Sequence, residues 1–548
     1  MSKPSRYSDA EISKLISDGF WKTTISTLWD QNAENRPSSQ AICDPRAGLT
    51  WAEARQWTDQ MALNLIGLGI DRDGVVVVQL PNCIELHLLR VACEKAGLLC
   101  APVTVNMREK EMRHILRFTE ARAIAIPWKY NKFDHLKLVE TMRSDLPYLK
   151  HILLLSDKVP QGKRSVRRLF REPPAGGLND ASLLARRRYR PAEVSIINHT
   201  TGTTGRPKFV EYPAAANAAW AEGQVPVLHI TGADVIAAFA PAARGPSLPA
   251  YYDAPWAGAK IVMHPWDGPD GALRAMEKHR VTVACLVPTQ LAKMVEQFKA
   301  GAYDLSSLRL WYSAGAIIPP SLVKEAEERI GGAVISDYGA VDFGGLILPA
   351  MDDPRHVRMH TVGKPRFGTE IKIVDDHDVE VSPGKMGEIW GKGPSCASGY
   401  FKDPQATLEC WNSDGWFAMG DLGSLDENGN LMIVGRKKNV IIRGGQNIHP
   451  GELEGLLISH PKIKEAAVVR MPDELMGEKA CAYVALHPGE AMAFEDMISF
   501  LTQQHIAAFK LPERLEILEN LPLISDQKID RSTLEKDIAG KLATKSLQ

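Results

Sequence analysis

The residues Thr200-Thr201-Gly202-Thr203-Thr204-Gly205-Arg206-Pro207-Lys208 have the makings of an oxyanion site. Glycines let a backbone wrap closely around phosphate oxygens. Four threonine hydroxyls add donors, and Lys208 supplies a point charge suited to phosphate. The apolar run Val194–Ile197 just before it reads as a strand that runs into the loop. The spacing Gly-x-x-Gly-x-x-Lys lacks the Gly-Lys-Ser/Thr ending of a Walker loop. The chemistry implied is a triphosphate cradle of another kind.

The elements that must position this loop are legible as alternation. Gly74-Val-Val-Val-Val-Gln-Leu, Ala123–Ile126 and His151–Leu155 read as buried strands, and Cys83–Lys95 as a helix. Val281–Val287 reads as a strand running into a helix from Pro288 through Lys299. Strands alternating with helices argue for an α/β fold with mainly parallel sheets. Near Asp421–Arg443 the pattern changes to a hairpin turning at Glu427-Asn428-Gly429-Asn430, then a charged joint. The remaining stretch is long enough for a small second domain. The expected organisation is a large domain over residues 1–435, of α/β subdomains with added β structure, and a mobile α+β domain over 436–548.

With 548 residues, the chain has ample length to bury large cores. Lys+Arg is 65 and Asp+Glu 66, a balance that excludes overall attraction to nucleic acid or an anionic membrane. Local basic stretches remain, Lys163–Arg171 and Arg186–Arg190, readable either as solvated surface or as a patch for a phosphate-bearing thiol or an acidic carrier. The eight cysteines are scattered, with no Cys-x-x-Cys pair, so zinc and disulfide scaffolds have no support. No apolar run approaches the ~20 residues of a spanning helix, and the first residues are polar. A cytoplasmic protein is expected, monomeric or homodimeric.

On these motifs the sequence resembles the adenylate-forming superfamily, which contains acyl-CoA synthetases, adenylation domains and luciferases. The phosphate loop matches that family's, with His199 at an aromatic position and Phe209 at a glycine. The resemblance extends through Ser313-Ala314-Gly315-Ala316, a glycine-rich adenine-side segment, and through Asp337-Tyr338-Gly339-Ala340-Val341-Asp342. It implies that Tyr338 stacks on adenine and that Asp342, with Thr203, holds Mg²⁺. Asp342 is shorter than the family's Glu but still a hard oxygen ligand, and Val341 stands for a threonine. Phe417-Ala418-Met419-Gly420-Asp421 resembles the ribose-binding segment, with Met419 for threonine; a carboxylate can accept both ribose hydroxyls. Arg436 would meet ribose or phosphate, Asn439 would be the interdomain hinge, and the Gly444-Gly445 turn would line the thiol tunnel. Leu521–Arg531 resembles the loop carrying the adenylation lysine, here Lys528, with Gln527 in place of glycine.

The implied chemistry is acid activation: ATP and Mg²⁺ convert a carboxylate to an acyl-adenylate, and CoA takes the acyl group. Lys208 and Lys528 neutralise charge, and no covalent protein nucleophile is needed. The expected acid pocket follows Ala238-Phe239-Ala240-Pro241 and comprises Ala242, Ala243 and Arg244, with Phe343 and Gly344 as another wall. Two alanines indicate a roomy pocket for an aromatic, alicyclic or otherwise bulky acid. Two alternatives stay open: a stand-alone enzyme loading the thiol of a separate carrier protein, and a non-catalytic nucleotide-binding homologue, motivated by the departures at His199, Phe209, Val341, Asp342, Met419, Asn439 and Gln527.

Overall fold

The computed structural model describes residues 3–174, 181–200, 208–241, 245–523 and 529–545. Two seven-stranded sheets dominate. One runs, edge to edge, through Phe209–Pro213, Val194–His199, Leu99–Pro102, Val75–Val78, Ala123–Ile126, His151–Leu154 and Arg164–Ser165. The other runs through Ala333–Asp337, Leu310–Ala314, Val283–Leu286, Val235–Ala238, Lys260–Met263, Gln40–Cys43 and Gly48–Thr50. Each is parallel except for one antiparallel edge pair. Val75–Val78 is buried at every residue, as a central strand covered on both faces must be.

The helix predicted over Cys83–Lys95 spans Ile84–Ala96 and ends at Gly97, whose φ of 66° closes the last turn in the left-handed region. The helix predicted from Pro288 through Lys299 ends at Gln297, since Phe298 turns extended and buries its ring. The basic stretches are structural. Arg167 pairs with Glu85 and Asp157, Arg168 with Glu172, and Arg188 with Asp30. Their charges are spent within the protein, which removes support for a phosphate patch there.

A four-stranded antiparallel sheet follows: Glu370–Val374, Gly387–Lys392, Phe417–Leu425 and Leu431–Arg436. Its last hairpin turns where expected, because Asp426 Oδ1 accepts from the amides of Asn428 and Asn430 while Gly429 takes φ 79°. A single 3₁₀ turn, Lys437–Asn439, leads into a five-stranded sheet of Gln446–Ile448, Ile441–Arg443, Gly477–Leu486, Ile463–Asp473 and Arg514–Ile517. That sheet carries its own core under the helices Pro450–Ile458 and Phe494–Gln503. At the seam between the two sheets, Gly451 lies against the first: a Cβ there would sit 2.6 Å from the Val434 carbonyl oxygen. Gly435 faces it, its own Cβ position 4.0 Å from the Gly451 amide.

Candidate active site

One cavity of ≈ 2940 Å³ lies where both large sheets, the antiparallel sheet and the C-terminal unit meet. Thr200 and Lys208 open onto it at the mouth of the candidate phosphate loop. The stem is fixed by the antiparallel pair His199 and Phe209 and by the Thr200 amide donating to the Lys208 carbonyl at 2.8 Å. Phe209, in the glycine position, is buried and stacks on Phe118 with ring centroids 5.2 Å apart. The substitution therefore anchors the strand below the loop. Residues Thr201, Gly202, Thr203, Thr204 and Gly205, the pocket residues Ala242, Ala243 and Arg244, and Lys528 lie outside the described residues.

Asp342 and Lys208 meet through Tyr400, which the sequence reading missed. The Tyr400 hydroxyl donates to Asp342 Oδ2 at 2.8 Å, and the Lys208 ammonium lies 4.6 Å from the centre of the Tyr400 ring. Burial, reinforced by the Asp342 charge, holds the Tyr400 phenol far above its usual range. It is a fixed donor at any working pH. Asp342 lines the cavity, and Tyr400 engages only one of its two oxygens. A hard acceptor oxygen facing a phosphate-sized space suits Mg²⁺, which takes few protein ligands beside substrate phosphates. Nothing in the segment Ser398-Gly399-Tyr400-Phe401 would have flagged Tyr400.

Tyr338 and Asp421 are also brought together. The Tyr338 hydroxyl donates to Asp421 Oδ2 at 2.6 Å, and Arg436 Nε pairs with Oδ1 at 2.6 Å. Tyr338 also lies 3.4 Å from the Met419 sulfur, where the family has a hydroxyl. The Asp421 carboxylate is buried and oriented from two sides. Burial and then the Asp421 charge raise the Tyr338 phenol well above its ordinary value. Gly315, Ala316 and Gly339 line the cavity nearby, Gly315 with φ 91°.

Three expectations are met differently. Phe343 does not line the cavity: it is fully buried, stacked 6.2 Å from Phe417, and the wall is Gly344. Gly344 is required there, since a Cβ would fall 2.4 Å from the Tyr212 hydroxyl at φ 73°. Asp337 precedes Tyr338 in extended backbone, so its side chain points the opposite way, sharing a sheet face with Tyr312 and Cys285. The Gly444-Gly445 turn joins Ile441–Arg443 to Gln446–Ile448 away from the cavity, and Gly444 donates to the Met476 carbonyl at 2.8 Å. Leu523, Ile529 and Asp530, which bracket the Lys528 loop, do line it. Asn439 lines it too, in the 3₁₀ turn and without the left-handed backbone that asparagine tolerates.

The family model described as AMP-binding enzyme matches residues 29–401, about two-thirds of the chain. The chain belongs to the AMP-binding enzyme family. The model of the AMP-binding enzyme C-terminal domain matches residues 452–528 of this AMP-binding enzyme. It is 30% identical over 529 residues to a medium-chain fatty-acid–CoA ligase of Escherichia coli, covering 96% of this chain and 92% of that one. It is 28% identical to a salicyl-AMP ligase / salicyl-S-ArCP synthetase of Mycobacterium tuberculosis, covering 95% and 92%. Among solved structures, the anthranilate CoA ligase AuaEII in complex with anthranoyl-AMP superposes with a TM-score of 0.87 at 25% identity, covering 96% of this AMP-binding enzyme and 99% of that chain. Among the described residues, no helix is long and apolar enough to cross a membrane.

Proposed function

We propose that this AMP-binding enzyme is an AMP-forming acid–thiol ligase with CoA as acceptor. The observation that carries the reading is the convergence on one cavity of the Thr200/Lys208 stem, the Tyr400-held Asp342 and Arg436, the ion-pair partner of the buried Asp421. A carboxylate oxygen of the acid attacks the α-phosphorus of ATP. The bond to pyrophosphate breaks, and acyl-AMP forms. A thiol sulfur then attacks the acyl carbonyl carbon, AMP leaves as an anion, and the thiol proton passes to solvent.

Asp421 accepts from the ribose hydroxyls, and Tyr338 packs on the base while holding that carboxylate in place. Lys208 and the Thr200–Gly205 loop hold the β- and γ-phosphates. Asp342, with Thr203, holds Mg²⁺, which supplies neutralisation of phosphate charge. Lys528 acts on charge developing between carboxylate and α-phosphate. Gly315, Ala316 and Gly339 leave room for adenine. Domains over 1–435 and 436–548 turn about Asn439, bringing the Gly444-Gly445 turn to the cavity for the second step. The eight free thiols, all but Cys410 buried, support a reducing cytoplasmic setting.

The carrier-protein alternative is supported by the activity for which the Mycobacterium tuberculosis relative is named, that of a salicyl-S-ArCP synthetase. Pyrophosphate release with ATP, Mg²⁺ and a panel of carboxylic acids, with and without CoA, separates the readings. Acid-dependent release that rises with CoA is expected. Release indifferent to CoA but stimulated by a phosphopantetheinylated carrier would replace CoA as acceptor. Nucleotide binding with no release for any acid would overturn the ligase reading.

A further inference from the structure

Part of the cavity wall is polar. Helix Ala214–Val227 is rich in alanine, yet it places Asn217, Trp220 and Gln224 at helical spacing toward the sheet. Asn217 and Trp220 line the cavity, and Trp220 Nε1 donates to Gln224 Oε1 at 2.6 Å. At the end of strand Ala333–Asp337, Asp337 lines the same cavity at 7% exposure. Behind it stands Asp253, wholly buried at the end of the π-helical segment Pro249–Asp253.

These groups are short of partners. Asp337 Oδ1, Asn217 Nδ2, both oxygens of Asp253, the Tyr312 hydroxyl and Gln224 Nε2 are buried without a hydrogen bond, and the Tyr312 phenol is the donor nearest Asp337. Buried polar atoms are normally satisfied, and each exception calls for a reason. Burial pushes the Asp337 carboxyl up to about 7, against the opposing pull of the Tyr312 phenol beside it. Burial, then the Asp337 charge, raises Asp253 well above the carboxylate range. Two carboxyls so placed do not both ionise. Together they form an acceptor of low net charge, and Asn217 adds an unused donor at the rim.

We propose that Asp337, backed by Asp253 and flanked by Asn217, selects carboxylic acids that carry an additional neutral O–H or N–H donor, an aromatic hydroxyl or amino group, over apolar acids of the same size. A saturated chain or bare ring seated there would leave the Asp337 and Asn217 atoms unsatisfied, which a site built for hydrogen bonding penalises by large factors. This rests on the ligase reading above and divides its relatives: salicylate and anthranilate, for which two of them are named, carry such a donor, and the medium-chain fatty acids of the Escherichia coli enzyme do not.

The test measures kcat/KM for acid-dependent pyrophosphate release with benzoate, its three monohydroxy and three monoamino isomers, the three methoxybenzoates and octanoate. At least one hydroxy or amino isomer should exceed benzoate, its own methoxy analogue and octanoate by at least tenfold. In Asp337→Leu that ratio should collapse by tenfold or more. Asp337→Asn, of the same shape, should retain part of the preference, because its amide still offers one acceptor oxygen. Preference for benzoate or octanoate in the parent enzyme would overturn the inference while leaving the ligase reading intact. An unchanged ratio in Asp337→Leu would also overturn it. Silence of the whole panel, in both release and acid-binding calorimetry, would overturn the ligase reading and this inference with it.

Discussion

A buried carboxyl that is half-neutral near pH 7 has a thermodynamic signature separate from any activity. In the native state Asp337 titrates near 7; unfolded, near the ordinary value of ~3.9. Between those values the folded chain binds more protons than the unfolded one, so this group's contribution to stability falls as pH rises through the window. The titratable neighbours are Asp253 from the π-helical segment and Tyr312 and Cys285 on the same sheet face; the one charged residue of the Ala214–Val227 helix, Glu222, pairs with Lys22. Asp337→Asn removes the penalty. It should melt higher than the parent at pH 8, with the gain shrinking toward pH 5; the full difference is at most about 4 kcal/mol, from a shift of roughly three pH units. Thermal melts at the two pH values decide, and a gain equal at both would refute it.

That carboxyl also marks the limit of sequence reading. Asp342 and Asp421 are legible because motif context gives each a partner chemistry. Asp337 is legible as a residue, but its direction depends on strand alternation against Tyr338. Asp253, Tyr400 and Asn217 become visible only when the chain is folded, since each meets its neighbours across more than 50 residues of sequence.

At the scale of elements, the phosphate loop depends on the strand pair that launches it. Phe209 stacks on Phe118 and sits opposite His199, both buried. Phe209→Ala should cost about 3–5 kcal/mol, as for other fully buried aromatic truncations. Urea unfolding monitored by circular dichroism measures it, and a loss below about 1 kcal/mol would mean the stack does not anchor the stem. Strands and helices of this region are readable as alternation because both faces of each sheet are covered, which leaves short continuous apolar runs. The basic stretches are the opposite case. Composition shows charge, but only packing shows that Glu85, Asp157, Glu172 and Asp30 already engage it.

Over the whole molecule, the conformation described brings the borders of the Lys528 loop to the cavity and leaves Gly444-Gly445 outside it. If the two half-reactions use two domain arrangements, stiffening the joint should separate them. Asn439→Pro should slow thioester formation from supplied acyl-adenylate and CoA at least tenfold, with a smaller effect on pyrophosphate release. Lys528→Ala should do the reverse, abolishing adenylate formation while largely sparing thioester formation. Single-turnover assays of each step measure both, and equal losses in either variant would argue against a two-arrangement cycle.

The seam between the two sheets gives that motion a mechanical character. Gly451 rests on the Val434 carbonyl with Gly435 opposite, so backbone meets backbone at that point. Parting such surfaces exposes little hydrocarbon to water, and the hydrophobic effect therefore does little to hold them together. The contact behaves as a plain bearing: it sets where the small unit rests, and a single added methyl at Gly451 would act as a wedge, tilting the resting position.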